Sequence, residues 1–449
     1  MISCLPGAAV SIGLLILSPA LFAQQPGPDA KLDPAVFDSY LGTYQFPSGR
    51  LLVIARTERR LYAYEPGRGR LRGLERIDDR TWVAGPSLQV FAPEVYRLTF
   101  GKDAVQFTSQ GKPQERAKKA RLYREEFITF KNDGVSLSGT LLLPTTRAPH
   151  PAIVLAHGSG AQDRNGYLAN IRFLADHLAR NGIAVLTYDK RGSGRSTGRW
   201  ETASFADLAG DLVAGIALLR DRPDIIDAQV GAGGTSQAGW VVAKAVMRSP
   251  DIAFVILIGA AGTGYRVTEQ NLYNTEVEMR AAGVDQERIA RALELQRRFF
   301  AMLRRGESAD AREYDEAVKT ARQDSVLRDW VFPISTEVDW RNRSAWYTAL
   351  EIDFDPLPAW RSYKGPVLGI FGELDAQTPV RAVVPRFVDA LMSREGNDFS
   401  VSVFAKASHL LLEATRPSDE EIKQLQRVVP GFYDYVSDWL KARLRRFRQ

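Results

Sequence analysis

Apolar and polar positions follow one rhythm up to about residue 123 and another beyond it. From Phe37 to about Tyr123 the apolar residues come in short β-type runs: Leu51–Ala55, Leu61–Tyr64, Thr81–Ala84, Val95–Phe100 and Ala104–Thr108. Pro47-Ser-Gly49, Pro66-Gly67, Gly85-Pro86 and Gly101-Lys-Asp103 break them at the spacing of a small all-β domain, with no strong helical period. Beyond it, Glu126–Lys131 and Val135–Leu143 flank Asn132-Asp-Gly134, a hairpin turn signal.

Strands and helices then alternate. Pro151–Ala156 reads as a buried strand, and Leu168, Ile171, Leu174 and Leu178 mark a helix face closed by Asn181-Gly182. Ile183–Tyr188 is the next strand. Ser204, with Asp207 as capping-box partner, opens a helix carrying Phe205, Leu208, Leu212, Ile216 and Leu219. Gln229–Gly233, Ile252–Ile258, Pro366–Phe371 and Phe399–Phe404 are further strands, and Phe432, Val436, Trp439 and Leu440 stripe a last helix. This alternation, with apolar strands, predicts an α/β fold whose mostly parallel sheet is covered on both faces.

Between about residues 265 and 360 the alternation stops. Asp285 caps a helix with Ile289, Leu293, Phe300 and Leu303 on one side, ended by Gly306. Such an insertion predicts a helical cap over the sheet. Trp330, Trp340, Trp346 and Trp360 cluster in its second half. They are either the cap's own core or the lining of an apolar substrate pocket.

Residues Ala8–Ala23 are mostly apolar, carry no charge and precede the polar Gln24-Gln25-Pro26. They are too short and too early for a membrane span. They read as a signal peptide over residues 1–23, cleaved after Ala23, the alternative being an uncleaved anchor. A linker over residues 24–36 follows, then a β-domain over 37–123 and a second domain over 124–449. The expected destination is the bacterial periplasm or the medium. The one cysteine, Cys4, falls in the leader, so the mature chain holds no disulfide, thiolate metal site or cysteine nucleophile. The net charge of +6 is concentrated in the tail from Lys441 to Arg448, with five cations and no acids. Cations there complement the end of a helix. They are not read as a nucleic-acid surface.

The chemistry concentrates in Gly234-Thr235-Ser236-Gln237-Ala238-Gly239, between the run Gln229–Gly233 and the helical Trp240–Arg248. A strand, a tight turn and a helix with serine at the apex form a nucleophile elbow. The turn strains the serine backbone and admits only very small residues two before and two after it, here Gly234 and Ala238.

Serine needs a base, and of the four histidines three are unsuited. His150 precedes a strand, His177 lies at the edge of an amphipathic helix face, and His157 opens His157-Gly-Ser-Gly160 directly after a buried strand. His409, in a loop after the last strand, remains. The base needs a carboxylate to orient it, and Asp375 stands just beyond the strand Pro366–Phe371. Glu373, two residues earlier, is assigned a structural or gating part.

The order Ser236, Asp375, His409, with the two turns above, resembles the α/β-hydrolase family from about Glu126 onward, in particular its exported bacterial members. Tyr40-Leu-Gly-Thr-Tyr44 and Tyr96-Arg-Leu-Thr-Phe100 resemble a small β-domain appended to some bacterial serine hydrolases. The family resemblance implies an oxyanion hole from the backbone N–H groups of Ser159 and Gln237, each worth about 10²–10³ in rate. Tyr188-Asp-Lys-Arg-Gly-Ser-Gly-Arg-Ser196 resembles the family's post-strand turn, with Asp189 and Arg191 read as turn-fixing residues.

The implied activity is cleavage of a small-molecule carboxylic ester through an acyl-enzyme on Ser236, with no metal or organic cofactor. A serine peptidase or amidase on the same fold is the main alternative, and a binding protein on a relic fold is the other. Dehalogenases and epoxide hydrolases of this fold need a carboxylate at position 236, and dienelactone hydrolases need a cysteine there. A prolyl-oligopeptidase-type enzyme needs a repeat propeller that the N-terminal region is too short to supply.

Overall fold

The computed structural model describes residues 32–305, 311–330, 347, 349, 351–396 and 398–444. The expected signal peptide, Cys4, most of the linker, Gly306, Trp340, Trp346 and the end of the basic tail lie outside the described residues.

The first eight strands close an antiparallel barrel: β1 (Gly42–Gln45), β2 (Leu51–Arg56), β3 (Leu61–Glu65), β4 (Arg70–Arg76), β5 (Thr81–Ala84), β6 (Tyr96–Phe100), β7 (Ala104–Ser109) and β8 (Glu115–Ala120). Each strand pairs with the next, and β1 closes onto β8 through Thr43↔Ala120 and Tyr44↔Lys119. Tyr44, Leu52, Ile54, Leu61, Trp82, Leu98, Phe100 and Val105 fill the interior.

Strands β4 and β8 escape the apolar-run reading for a local reason. Arg-Leu-Arg-Gly-Leu-Glu-Arg and Glu-Arg-Ala-Lys-Lys-Ala interleave charged residues with apolar ones: in β4 Arg70, Glu75 and Arg76 are exposed while Arg72 is buried, and in β8 only Ala117 is fully buried. Strands β2 and β3 are apolar on both faces because both faces are covered. Their outward residues Val53, Ala55, Tyr62 and Tyr64 pack into the core formed by the helices beneath the large sheet.

That sheet has eight strands: β9 (Tyr123–Asn132), β10 (Val135–Pro144), β11 (His150–Ala156), β12 (Ala184–Tyr188), β13 (Ile225–Thr235), β14 (Val255–Ile258), β15 (Val367–Gly372) and β16 (Phe399–Phe404). Their order is β16-β15-β14-β13-β11-β12-β10-β9. The run from β11 to β16 is parallel, and the β9–β10 hairpin is antiparallel. Its turn residues Asp133 and Gly134 have φ of 44° and 79°, as a two-residue type I′ turn requires.

Helices α1 (Asn170–Arg180) and α9 (Phe432–Leu444) cover the face that also receives the barrel. Helices α2 (Phe205–Arg220), α3 (Ala238–Arg248) and α8 (Val380–Met392) cover the other. The capping box that opens α2 is present, with Ser204 Oγ accepting from Asp207 N at 3.0 Å and Ser204 N donating to the Asp207 carboxylate at 2.8 Å.

Between β14 and β15 the chain builds α4 (Val267–Ala281), α5 (Gln286–Arg305), α6 (Ala311–Gln323) and α7 (Leu357–Ser362). Asp285 caps α5 by accepting from Arg288 N at 3.0 Å. Trp330 and Trp360 are buried in the core, Trp360 with its indole N–H on Gly262 O and its face edge-on to Phe387. For these two tryptophans the reading as packing holds.

Candidate active site

The parallel register brings the functional segments to one edge. Ala156 pairs with Gly234 across β11 and β13, so the turn after β11 and the elbow after β13 leave the sheet side by side. Strands β15 and β16 run parallel to them in the same sheet, and the loops after them carry Asp375 and His409. In parallel sheets the carboxyl ends of the strands form such a crevice.

Ser236 has φ of +56°, a left-handed conformation that L-residues avoid. The elbow holds it there by crowding. A Cβ placed on Gly234 would lie 2.4 Å from Ala156 O and 2.5 Å from the Ala238 methyl. Position 234 therefore admits only glycine, and Ala238, fully buried, is as large as its own site allows. Ser236 N donates to Ile258 O at 3.0 Å, tying the apex to the neighbouring strand.

His409 Nδ1 lies 2.9 and 3.0 Å from the two carboxylate oxygens of Asp375. Asp375 Oδ1 also accepts from Gln377 N and Thr378 N, both at 2.8 Å, so its own loop fixes its orientation. The pair is buried, at 2% and 6% exposure for Asp375 and His409. Burial disfavours the imidazolium, but the charge and hydrogen bond of Asp375, with a smaller contribution from Asp419, hold the His409 pKa above its usual value. Glu373 is exposed and serves the backbone instead. Its carboxylate accepts from Lys406 N at 2.9 Å and pins the turn after β16.

Ser236 and His409 line one cavity of about 50 Å³ and form no hydrogen bond with each other. Its other walls include Gly158, Ser159, Tyr167, Leu174, Phe432 and Tyr433. The cap tryptophans described do not reach it. The cap touches the site through α4 instead, where Gln270 donates to Gln377 O at 3.1 Å and Tyr273 to Asp375 O at 3.4 Å. Glu278 on the same helix accepts from Asp419 N at 2.9 Å. Burial raises the pKa of both carboxyl groups, and the Glu278 charge raises Asp419 further.

The barrel also reaches the site, through the segment that follows His409. Leu71 N, Leu88 N and Gln89 N donate to Gln426 O, Leu425 O and Lys423 O, and Val428 N donates back to Gly69 O. Val429 N in turn donates to Leu411 O, two residues from His409. A far larger cavity, about 1010 Å³, lies between the barrel and the sheet and holds neither Ser236 nor His409.

The other residues singled out in the sequence hold the scaffold. Asp189 accepts from Arg164 at 2.7 and 3.0 Å and from Arg195 N at 2.9 Å, and Arg191 grips Asp211 at 2.7 and 2.8 Å, so both fix their turn. His157 is buried edge-on to Tyr188, and burial followed by the Lys190 charge lowers its pKa to about 3. His177, expected at a surface or half-buried, is buried against Tyr433 and Ser437, because α9 packs on α1. His150 is the first residue of β11.

Ser159 and Gln237 stand on either side of Ser236. Their backbone N–H groups donate to no acceptor among the described residues. Sequence reasoning passed over the residue behind them, Lys190, whose Nζ donates to Gly158 O, Gly160 O and Gln237 Oε1. Its signal was its place inside the turn Asp189-Lys-Arg191, where it read as one more turn residue. No group of three or more His, Cys, Asp or Glu side chains suited to a metal ion occurs among the described residues. No helix among them is long and apolar enough to cross a membrane.

Comparison with known proteins places the chain among its relatives. Over 135 residues the chain is 31% identical to a thiohydrolase, AneE, of Aspergillus aculeatus, a match covering 30% of this chain and 40% of that protein. The chain thus spans less than half of that relative's length. Among solved structures it is similar to the esterase Pf2001 of Pyrococcus furiosus, at 16% identity and a TM-score of 0.44, over 71% of this chain and 91% of that one. It is also similar to Est1E of Butyrivibrio proteoclasticus with ferulic acid bound, at 17% identity and a TM-score of 0.41, over 71% and 97%. The model of the alpha/beta hydrolase family matches residues 153–422, more than half of the chain and the stretch from within β11 past His409. The chain belongs to the alpha/beta hydrolase family.

Proposed function

We propose that the protein is a serine hydrolase that cleaves carboxylic esters. The supporting observation is a serine held at φ of +56° in the same cavity as a histidine whose far nitrogen is 2.9 Å from a buried carboxylate. In this reading His409 takes the proton of Ser236 as Oγ attacks the acyl carbon. The backbone N–H groups of Ser159 and Gln237 hold the oxyanion. The alcohol leaves with the proton from His409, and water, activated by the same base, releases the acid and restores the serine. Asp375 keeps the imidazole in the productive tautomer.

A thioester is the second substrate class, favoured by the similarity to a thiohydrolase. It needs no change in the machinery, since the acyl chemistry is the same and the leaving group is the easier one. We also propose export after cleavage at Ala23, on the strength of the apolar Ala8–Ala23 segment. Amino-terminal sequencing of protein recovered from the periplasm or medium is then expected to begin at Gln24.

The test is hydrolysis of a short-chain and a long-chain nitrophenyl ester by the purified protein beside Ser236→Ala and His409→Ala. Both variants are expected to fold and to lose turnover. Retained activity in either refutes the assignment. A wild-type protein that fails on oxygen esters but cleaves thioesters selects the second class.

A further inference from the structure

Lys190 is a buried cation with no buried anion to answer it. The residue is 3% exposed, and among the described residues no carboxylate forms an ion pair with it. The flanking charges are committed elsewhere, Asp189 to Arg164 and Arg191 to Asp211. All three ammonium protons are used: Nζ donates to Gly158 O at 2.5 Å, Gly160 O at 2.8 Å and Gln237 Oε1 at 3.2 Å. Desolvating an ammonium without a counter-ion is costly, and burial pulls the Lys190 pKa down to about 7. An apolar residue would avoid that cost if only packing were required.

The acceptors share one property. Two are carbonyls of the His157–Gly160 loop, and the third is the side chain of the residue after Ser236. The loop lies against the nucleophile, since a Cβ on Gly158 would be 3.5 Å from Ser236 Cβ. In a trans peptide the C=O of one residue and the N–H of the next point in opposite directions. Aiming the Gly158 carbonyl at Nζ therefore aims the Ser159 N–H away from it. A cation on the carbonyl end also polarises the peptide and makes that N–H a stronger donor, as in any hydrogen-bonded chain.

We propose that Lys190 is a positioning residue of the oxyanion hole, clamping the His157–Gly160 loop to the elbow and orienting and polarising the Gly158–Ser159 peptide. The inference rests on Ser236 being the nucleophile. Lys190 acts in its protonated form, as a donor to the loop, and touches neither substrate nor base.

The experiment uses the full chain with Lys190→Met, which keeps the length and removes the charge. Active sites are counted by fluorophosphonate labelling carried to completion, so that misfolded molecules do not enter the rate. Per labelled site, kcat is expected to fall about 10²-fold, the scale of one oxyanion donor, with KM within about threefold. A trifluoromethyl ketone, which forms a tetrahedral adduct with serine, is expected to bind more weakly by the same factor. The matching methyl ketone is expected to keep its affinity.

A lysine that merely stabilises the fold would reduce the number of labelled sites and leave kcat per site and ketone affinity unchanged, which overturns the proposal. Should Lys190→Met fail to fold, Gln237→Leu removes one acceptor and keeps the backbone N–H. It is expected to cost about 10-fold in kcat per site, and an unchanged value overturns the proposal equally. A wild-type protein that neither labels nor hydrolyses any ester or thioester removes the nucleophile and this inference with it. An active wild type with unimpaired variants removes only the role of the lysine.

Discussion

The two sides of Ser236 are built from opposite materials. On one side stand a titratable ring and a carboxylate, His409 and Asp375, each buried and each other's partner. On the other stand backbone amides, with a lysine behind them that has no carboxylate partner among the described residues. In the proposed mechanism the difference follows from what each side has to do. A base must take up and return a proton, so its pKa has to lie near neutrality, and a neighbouring anion sets it there. An oxyanion site must present dipoles that do not reorganise, and fixed N–H groups serve best. A carboxylate beside those dipoles would oppose the negative charge they are there to receive. Ser236, strained at the elbow, is where the two meet.

The largest break in this comparison is Asp375→Asn, expected to lower kcat by about 10⁴ while the fold survives, because the amide favours the wrong tautomer of His409. The matched control is Glu373→Gln, whose carboxylate is exposed and holds only Lys406 N. Its kcat is expected to stay near wild type, and the assignment of the acid reverses if Glu373→Gln is the more damaging of the two.

Gly234→Ala attacks the hinge between the sides. Its Cβ would meet Ala156 O and the Ala238 methyl at 2.4 and 2.5 Å, contacts that only a backbone shift relieves. A loss of about 1–3 kcal/mol is expected, read as a lower Tm, together with weaker fluorophosphonate labelling. Normal labelling with normal stability would mean that the elbow has more room than these contacts leave it.

The acid limb of the pH profile sharpens the base side. In the proposed mechanism His409 must be neutral to act, and Asp375 raises its pKa above 6.5 against the effect of burial. Activity is therefore expected to fall as the pH drops through a midpoint above 6.5. Ring titration by NMR is expected to show that midpoint moving down in Asp375→Asn, since burial then acts without the carboxylate. A midpoint that moves up would contradict the charge assignment.

The smallest expected effect lies farthest away. Ser87→Ala removes a hydroxyl that donates to Lys423 O at 2.9 Å, where the barrel meets the segment following His409. About 1 kcal/mol of stability is expected to be lost with kcat within twofold. A large drop in kcat would make the barrel part of the base's support.

Much of the site was legible because strand-end motifs are local. Gly234 and Ala238 announce the elbow through their size, and the structure shows the same atoms crowding each other. His409 emerged by elimination, since the other three histidines sit in or beside regular elements. The cavity walls were not legible. Leu174 and Phe432 read as apolar helix faces, Tyr167 and Tyr433 carried no signal, and nothing in a helical period tells whether a face meets core or cavity. The cap tryptophans left two readings open, because aromatic clustering looks the same in a pocket as in a core, and only the fold shows Trp330 and Trp360 in the core.

By itself the sequence determined the α/β alternation, the order of serine, acid and histidine, the all-β character of the first region and the turns that end its strands. These depend on residues a few positions apart, where backbone sterics and side-chain period decide. Only the tertiary structure decided that β1 meets β8 to close a barrel, that the barrel's outer face shares a core with α1 and α9, and that Lys190 stands behind the amides beside Ser236. Each joins segments tens of residues apart or more, and such meetings are set by the packing of whole elements rather than by any local pattern. Lys190 shows this most clearly: next to Arg191 in the chain it is an ordinary turn cation, and only the fold places Gly158, Gly160 and Gln237 around its ammonium.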